Sequence, residues 1–303
     1  MSEYDWVDRE LYPFRPHHLD TPDGRMHYVD EGTGPVVLLV HGTPTWSFLY
    51  RDVIRELSRD HRVVAPDHLG FGLSDKSVAA PYRPEDHAAR LALLIERLGL
   101  EDITLVVEDF GGPIGLSYAI ERPGNVRALV LMNTWLWSLK GTSSEKAGRL
   151  FSTAPGRFLY TRLNFSPRVM LPSAFGDRKK LTKRIHRQYL APLGSPAERQ
   201  GAWAFARALV GSDAWYESLW QRRDRLARKP ALLLWGMKDP AFGPEYLARW
   251  KEALPDARVM EFKDAGHFVP EEVDAAVLAG AIRAHVAGAA GGNGVPVVEG
   301  AAG

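Results

Sequence analysis

The sequence predicts an α/β fold: a mostly parallel central β-sheet flanked by helices, with one inserted helical segment. Short apolar runs alternate with amphipathic stretches along most of the 303 residues, as in parallel sheets with crossover helices. This alternation stops over residues 134–228 and resumes at Pro230. Several apolar runs end directly on a polar residue beside glycine. Together these observations indicate one sheet with chemistry at the ends of its strands.

The predicted strands begin with an antiparallel pair. Phe14–Leu19 and Met26–Asp30 flank the turn Thr21-Pro22-Asp23-Gly24, whose Asp-Gly pair is typical of hairpins. The later runs are apolar and β-branched or Leu-rich, as expected of strands covered on both faces. These runs are Val36–Val40, Arg62–Ala65, Ile103–Glu108, Ala128–Met132, Ala231–Trp235 and Val259–Phe262.

The interruption in the strand pattern defines the domain organisation. Residues 134–228 are rich in Arg, Trp, Phe and Tyr, and we interpret them as a helical cap over one end of the sheet. The core is then formed by residues 1–133 and 229–287. Residues 288–303 are almost all Gly, Ala and Val, and their composition predicts a disordered tail.

Composition excludes several functional classes. A formal net charge of +1 lacks the basic excess of a nucleic-acid-binding protein. The absence of cysteine excludes disulfides, cysteine nucleophiles and thiolate metal sites. The acidic start, Met1 to Asp5, is not a signal peptide, and no apolar run reaches the roughly 18 residues of a membrane span. We expect a cytoplasmic protein, monomeric or weakly homo-oligomeric, without membrane partner, metal or cofactor.

The clearest chemical signal is the stretch around Asp109. An apolar strand ends at Glu108-Asp109, Gly111 and Gly112 follow after one residue, and a helix begins. This strand–turn–helix context is that of a nucleophile elbow, in which small neighbours permit a sharp and strained turn. Asp is also a common helix N-cap, so Asp109 indicates a nucleophile only when a candidate base is also present in the sequence.

An aspartate at the elbow predicts a particular reaction. A carboxylate is already ionised at neutral pH and needs no base to become a nucleophile. Its attack on an sp³ carbon displaces a leaving group and leaves an alkyl ester on the enzyme. A base is then needed to activate the water that hydrolyses this ester. The helix N-terminus next to Asp109 favours the negative charge.

His267 and Asp239 are the candidate base and its orienting acid. Each follows a predicted strand and a glycine, in Trp235-Gly236-Met237-Lys238-Asp239 and Asp264-Ala265-Gly266-His267. The order nucleophile, acid, base along the chain is that of α/β-hydrolase triads. Strand ends meet at one edge of an open sheet, so we expect the triad to assemble there.

Two backbone N–H groups are the expected oxyanion hole. Gly42, in His41-Gly42-Thr43-Pro44, lets the chain turn so that the Thr43 N–H can point into the site. The Phe110 N–H lies directly after the nucleophile. Such a pair would stabilise the negative charge that develops during hydrolysis of the ester.

These motifs resemble the haloalkane dehalogenase family from about residue 12 to residue 285. The similar segments are His41–Arg51, Pro66–Lys76, Val107–Gly112, Gly236–Asp239 and Asp264–Phe268. The segments Gly236–Asp239 and Asp264–Phe268 resemble one subgroup of the family. In that subgroup the acid of the triad follows the strand that corresponds to the one before Asp239. The resemblance implies an α/β-hydrolase fold and hydrolysis of haloalkanes to alcohol and halide without a cofactor.

One residue departs from the family pattern. The family follows its nucleophile with Trp, whose indole N–H holds the halide, whereas this chain has Phe110. Many members place Asn where Thr43 stands, and that amide donor is absent too. The resemblance implies a cap Trp as a second halide ligand. Trp135, Trp137, Trp203, Trp215 and Trp220 are available, and we name Trp137 and Trp203 as the candidates. A hydrogen bond to a charged group contributes about 1.5–3 kcal/mol. Its loss predicts a weak dehalogenase, slowed roughly ten- to 150-fold.

Other functions remain compatible with the same residues. An epoxide hydrolase uses an Asp, His and acid triad but needs cap tyrosines, for which Tyr160, Tyr189 and Tyr216 are available. Another Asp-ester hydrolase, such as one that opens a strained lactone, is also compatible. A ligand-binding protein on the same fold would have no need of Asp239 and His267 together. The fold alone does not separate these alternatives.

Overall fold

The computed structural model describes residues 4–291, and its centre is an eight-stranded sheet. The strands are β1 His17–Thr21, β2 Gly24–Glu31, β3 Val36–Val40, β4 Arg62–Pro66, β5 Ile103–Asp109, β6 Val126–Thr134, β7 Ala231–Gly236 and β8 Arg258–Phe262. Their order across the sheet is β1-β2-β4-β3-β5-β6-β7-β8. The pairs β1–β2 and β2–β4 are antiparallel and all the other pairs are parallel. The predicted fold class is confirmed.

Every predicted strand forms, and the largest displacement is at the first. It begins at His17 instead of Phe14. Pro13 and Pro16 have no N–H to contribute to a ladder, so the chain cannot pair there. Phe14 instead packs edge-on against Tyr12, with ring centroids 5.0 Å apart, and is buried in the core.

The apolar central strands bury both of their faces. Leu38, Leu105 and Leu129 belong to the cluster on one face of the sheet. Val37 and Val106 belong to the cluster on the other. Alternate residues therefore supply two separate cores, which is why these strands are uniformly apolar instead of alternating with polar residues.

Helices cover both faces and fill the insertion. They are α1 Arg51–Leu57, α2 Pro84–Arg97, α3 Gly111–Glu121, α4 Ser143–Phe151, α5 Ala154–Thr161, α6 Leu171–Ser173, α7 Lys183–Leu190, α8 Gln200–Gly211, α9 Asp213–Trp220, α10 Asp224–Ala227, α11 Pro244–Ala253, α12 Val269–Glu272 and α13 Ala275–Gly291. Short 3₁₀ turns lie at Ser47–Tyr50, Pro123–Asn125, Arg178–Lys180 and Ala191–Leu193, and a π-helical turn lies at Ser166–Met170.

The segment between β6 and β7, all of it within the described residues, contains helices and no strand. Thr142, Thr153 and Thr182 cap α4, α5 and α7, because each side-chain oxygen accepts a backbone N–H of the first turn. Gly148 of α4 lies against Leu209 of α8, so the two helices pack closely. The segment lies over the carboxyl edge of the sheet, where it contributes to the cavity described below.

The C-terminal end differs in part from the prediction. Helix α13 continues to Gly291, so a disordered tail beginning at residue 288 is wrong for residues 288–291. Alanine and glycine there extend a helix that packs through Leu278 and Ile282 onto the core. Residues 292–303 lie outside the described residues. Within residues 4–291, no helix has both the length and the apolar character needed to cross a membrane.

Candidate active site

The carboxyl edge of the sheet brings Asp109, Asp239 and His267 together. Asp109 ends β5, Asp239 follows β7, and His267 follows β8. In the sheet, β6 lies between β5 and β7, and β8 follows β7. The end of β6 supplies Asn133 and Thr134, which donate hydrogen bonds to Asp239 and to the Asp109 carbonyl, respectively.

The backbone of Asp109 is strained in the way an elbow requires. Its φ is 51°, a left-handed conformation that a non-glycine residue seldom adopts. A Cβ at Gly111 would overlap the Val40 carbonyl, and one at Gly112 would overlap Thr134. The Thr134 hydroxyl donates to the Asp109 carbonyl at 2.5 Å. The turn is therefore held by close packing that only glycine allows.

The Asp109 carboxylate is fixed by the backbone opposite. The Thr43 N–H donates to Asp109 Oδ1 at 2.8 Å. Phe110 precedes the first residue of α3, so its N–H belongs to the helix start, where N–H groups have no intrahelical partner. Both predicted oxyanion-hole residues thus border the nucleophile, and the positive end of α3 faces it.

His267 lies between Asp109 and Asp239 and contacts both carboxylates. Its Nδ1 lies 2.7 Å from Asp239 Oδ2, and its Nε2 lies 3.5 Å from Asp109 Oδ2. The His267 N–H donates to the Ala174 carbonyl at 2.9 Å, which ties this loop to the cap. Burial disfavours the imidazolium, but Asp239 and Asp109, with a contribution from Glu108, raise the pKa of His267 well above its ordinary value.

Asp239 is oriented by groups that sequence reasoning did not identify. Asn133 Nδ2 donates to Asp239 Oδ2 at 2.9 Å, and the Ala241 N–H donates to Oδ1 at 2.7 Å. Asn133 also accepts the Gly236 N–H at 2.8 Å, and it has a positive φ of 29°. The sequence feature that could have pointed to Asn133 is its side-chain amide directly after the apolar run Ala128–Met132.

Glu108 is the second residue that sequence reasoning did not identify. It is fully buried, and its Oε1 lies 3.3 Å from His267 Nε2. Burial, reinforced by Asp109 and Asp239 and opposed by His267, raises the pKa of the Glu108 carboxyl well above its ordinary value. The sequence feature that could have pointed to Glu108 is its charge at the end of an otherwise apolar predicted strand.

A cavity of about 290 Å³ lies above the triad. Asp109 and His267 form part of its floor, and most of its wall is apolar. The wall includes Pro44, Phe110, Ala147, Met170, Leu171, Ala206, Leu209, Phe242 and Phe268. Its size and lining suit a small apolar substrate. No group of three or more His, Asp or Glu side chains within residues 4–291 is arranged to hold a metal ion.

Comparison with known proteins gives the family. A profile of the α/β hydrolase fold matches residues 35–274. Haloalkane dehalogenase 2 of Mycobacterium tuberculosis is 37% identical over 277 residues, covering 91% of this chain and 96% of that protein. The chain belongs to the haloalkane dehalogenase family of α/β-hydrolases.

The chain is also similar to a protein named for another activity and to solved haloalkane dehalogenase structures. A cis-3-alkyl-4-alkyloxetan-2-one decarboxylase of Shewanella oneidensis is 34% identical over 280 residues, covering 88% of this chain and 87% of that protein. Among solved structures, haloalkane dehalogenase DbeA from Bradyrhizobium elkani USDA94 superposes with a TM-score of 0.81 at 25% identity. That alignment covers 90% of this chain and 99% of DbeA.

The cavity wall is apolar at the residue that follows Asp109. Phe110 stacks on Phe205, with centroids 4.5 Å apart and an interplanar angle of 20°. The Trp135 ring meets it edge-on at 4.8 Å. Phe110 therefore offers the cavity a ring without a donor. The Thr43 hydroxyl lines the same cavity and is buried without a hydrogen-bond partner, so it is a donor where the family often has Asn.

The structure corrects the two tryptophans assigned to halide. Trp137 stacks on Tyr246 with centroids 5.4 Å apart, and the Arg249 guanidinium covers it at 4.5 Å. The Trp203 indole N–H donates to the Phe151 carbonyl at 2.9 Å. Neither residue lines the cavity of Asp109. Both serve packing: Trp137 lies in an aromatic cluster, and the Trp203 N–H is occupied by a backbone carbonyl.

The cap tyrosines are divided between the cavity and the core. Tyr160 lines the cavity, and its hydroxyl contacts Met170 Sδ at 3.1 Å. The Tyr189 hydroxyl donates to Glu271, and the Tyr216 hydroxyl donates to the Ala208 carbonyl at 3.1 Å. The structure therefore places one of the three at the site, where an epoxide hydrolase of this family type is expected to use a pair.

Proposed function

We propose that this family member hydrolyses haloalkanes to an alcohol and a halide through an alkyl ester on Asp109. One observation carries the proposal: the Asp109 carboxylate, held on a strained elbow, faces a small apolar cavity 3.5 Å from a histidine that Asp239 orients. A carboxylate nucleophile in such a cavity favours attack on an apolar sp³ carbon. The expected partners are a small apolar substrate and water.

The first step forms the ester. Asp109 Oδ2 attacks the carbon, a C–O bond forms, the carbon–halogen bond breaks, and halide leaves with the bonding electrons. The Thr43 N–H holds Oδ1 at 2.8 Å, so Oδ2 is the oxygen left free toward His267 and the cavity. Positioning and exclusion of water contribute most of the acceleration in such a step.

The second step hydrolyses the ester. His267 Nε2 takes a proton from water while the water oxygen attacks the carboxyl carbon of Asp109. Asp239, 2.7 Å from Nδ1, stabilises the imidazolium that forms. The N–H groups of Thr43 and Phe110 stabilise the oxyanion. As it collapses, His267 Nε2 returns its proton to the leaving alkoxide oxygen to give the alcohol, and loss of the remaining carboxyl proton to solvent restores the Asp109 carboxylate.

The departing halide receives fewer donors than the family pattern provides. Phe110 supplies no donor. The Thr43 side chain lines the cavity, and its hydroxyl has no hydrogen-bond partner, so it can donate to the halide. Because bromide and iodide leave with less assistance than chloride, activity should be weak and fall in the order iodide, bromide, chloride.

A second candidate is opening of an oxetan-2-one ring, because two relatives of this chain are named cis-3-alkyl-4-alkyloxetan-2-one decarboxylases. Phe110 is the observation that favours it. A lactone keeps its leaving carboxylate within the substrate, so Asp109 can open the ring without a halide site. Epoxide hydrolysis is less favoured because Tyr160 alone lines the cavity. The hydrogen-bonded triad argues against a purely ligand-binding role.

Incubation of the purified protein with matched substrates tests the proposal. Iodo-, bromo- and chlorobutane, 1,2-epoxyhexane and a 3,4-dialkyl oxetan-2-one are compared by halide ion and by product analysis. Halide release that disappears in Asp109→Ala supports dehalogenation. If the protein releases CO₂ from the oxetanone and no halide from the haloalkanes, the second candidate replaces dehalogenation. Diol without halide, or saturable binding without turnover, contradicts both.

A further inference from the structure

Glu108 stands apart from every other buried carboxyl group around the site. Its side chain has no exposure, and no side chain donates a hydrogen bond to either carboxyl oxygen within the described residues. Its one hydrogen-bond donor is the backbone of Gly42, and that contact is weak. Asp239, by contrast, accepts from Asn133 and Ala241. Glu272 accepts the backbone N–H groups of Gly176, Asp177 and Gly266. A buried carboxyl group with so few partners requires an explanation.

The position of Glu108 supplies that explanation. Its Oε1 lies 3.3 Å from His267 Nε2, and Asp109 Oδ2 lies 3.5 Å from the same atom. Two carboxyl groups on consecutive residues therefore flank the nitrogen that must activate water. The Gly42 backbone and the buried Tyr50 and Tyr189 side chains also lie close enough to interact with Glu108. Asp239 contacts the opposite nitrogen of the imidazole.

We propose that Glu108 is a positioning residue that holds the hydrolytic water against His267 Nε2 and the ester of Asp109. This inference rests on the proposed alkyl-ester mechanism. The water gives one proton to Nε2, its oxygen attacks the Asp109 carboxyl carbon, and its second O–H donates to a Glu108 oxygen. No bond to Glu108 forms or breaks, so the group stays unchanged through the cycle.

The charge state of Glu108 suits this role. Burial, reinforced by Asp109 and Asp239, raises the pKa of Glu108 well above its ordinary value and so favours the neutral carboxyl. An ionised Glu108 would instead pair with the imidazolium and keep Nε2 protonated, which would oppose general-base action. A neutral carboxylic acid offers an acceptor to water without this electrostatic effect.

Three substitutions at this position test the inference by rapid-quench mass spectrometry, which separates ester formation from ester hydrolysis. Glu108→Met keeps the length of the chain but removes its oxygens. It should slow ester hydrolysis by about tenfold or more while ester formation changes less than about threefold. Glu108→Asp withdraws the carboxyl by one methylene and should also slow hydrolysis selectively. Glu108→Gln, which keeps a neutral acceptor, should retain both rates and the pH profile of hydrolysis.

The outcomes are distinct from one another. Wild-type hydrolysis in Glu108→Met overturns the inference. If that variant does not fold, wild-type hydrolysis in Glu108→Asp does so. A shift of the pH profile by about one unit in Glu108→Gln also overturns it, because Glu108 then acts through charge. Absence of any ester in wild-type protein and in His267→Phe contradicts the proposed function instead.

Discussion

The two sides of the cavity differ in how completely their polar groups are paired. On the attacking side, Asp109, His267 and Asp239 form a continuous chain of contacts, backed by Asn133 and the Thr43 N–H. On the leaving-group side of the proposed reaction, Phe110, which is stacked on Phe205, presents apolar surface. In the proposed mechanism the first side supplies the nucleophile and the base, and the identity of the leaving group depends on the less polar side.

Loss of the nucleophile should have the largest effect. Asp109→Ala removes the atom that forms the ester, so turnover should fall at least about 10⁴-fold. Halide release or product formation measures it, and the melting temperature checks that the variant folds. Residual activity close to wild type would show that the site of attack lies elsewhere.

Loss of the acid should affect one step selectively. Asp239→Asn removes the charge that stabilises the imidazolium, so ester hydrolysis should slow roughly 10²- to 10⁴-fold with little change in ester formation. Rapid-quench mass spectrometry would show the ester accumulating. Asp264→Asn is a matched control in the loop before His267, since Asp264 is 91% exposed and pairs with Lys238. Equal slowing in both variants would contradict a specific role for Asp239.

Restoring a donor on the apolar side should have a smaller effect. Phe110→Trp places an indole N–H beside the leaving group, and halide release should rise roughly ten- to 150-fold from a hydrogen bond of about 1.5–3 kcal/mol. Phe205→Trp is the control, because Phe205 stacks behind Phe110 without lining the cavity. No gain in Phe110→Trp would mean that the leaving group is not held at this position.

The smallest expected effect is a change in the titration of His267. The carboxylates of Asp239 and Asp109 raise its pKa in the free enzyme, and alkylation of Asp109 removes one of these charges. Its pKa in the ester should therefore be lower than in the free enzyme. NMR of the free imidazole and the pH dependence of ester hydrolysis provide the two values, and hydrolysis should accelerate as pH rises through the lower one. Equal values would contradict the coupling.

The raised pKa of His267 also has a consequence for stability. Its contribution is fully present below the ordinary histidine pKa of about 6.5 and is lost as pH rises through the higher folded-state value. Urea denaturation of wild type and His267→Phe as a function of pH should therefore converge at high pH. A difference that does not depend on pH would assign the effect to packing alone.

The same contrast explains what the sequence could predict. Buried strands and glycine turns are local patterns, so the sheet and the placement of Asp109, Asp239 and His267 at its carboxyl edge followed from short motifs. The role of Glu108 depends on which side chain reaches His267 across the sheet edge. No local pattern encodes that distance.

The cap shows the opposite case. The family resemblance implies a halide-binding tryptophan in the cap, but Trp137 packs against Tyr246 and Trp203 donates to the Phe151 carbonyl. Helix orientation decides which N–H groups reach the cavity, and amphipathic periodicity does not specify it. The donor at Thr43 was likewise overlooked, because its unpaired hydroxyl is visible only once the cavity is known.

The most direct test of the account is the mass of His267→Phe after incubation with 1-bromobutane. The variant keeps an aromatic ring against Phe242 and Phe268 but cannot activate water. The account predicts a stable butyl adduct that peptide mapping assigns to Asp109 and that Asp109→Ala abolishes. A folded variant that releases bromide without forming an adduct, or that carries the adduct elsewhere, would contradict nucleophilic attack by Asp109.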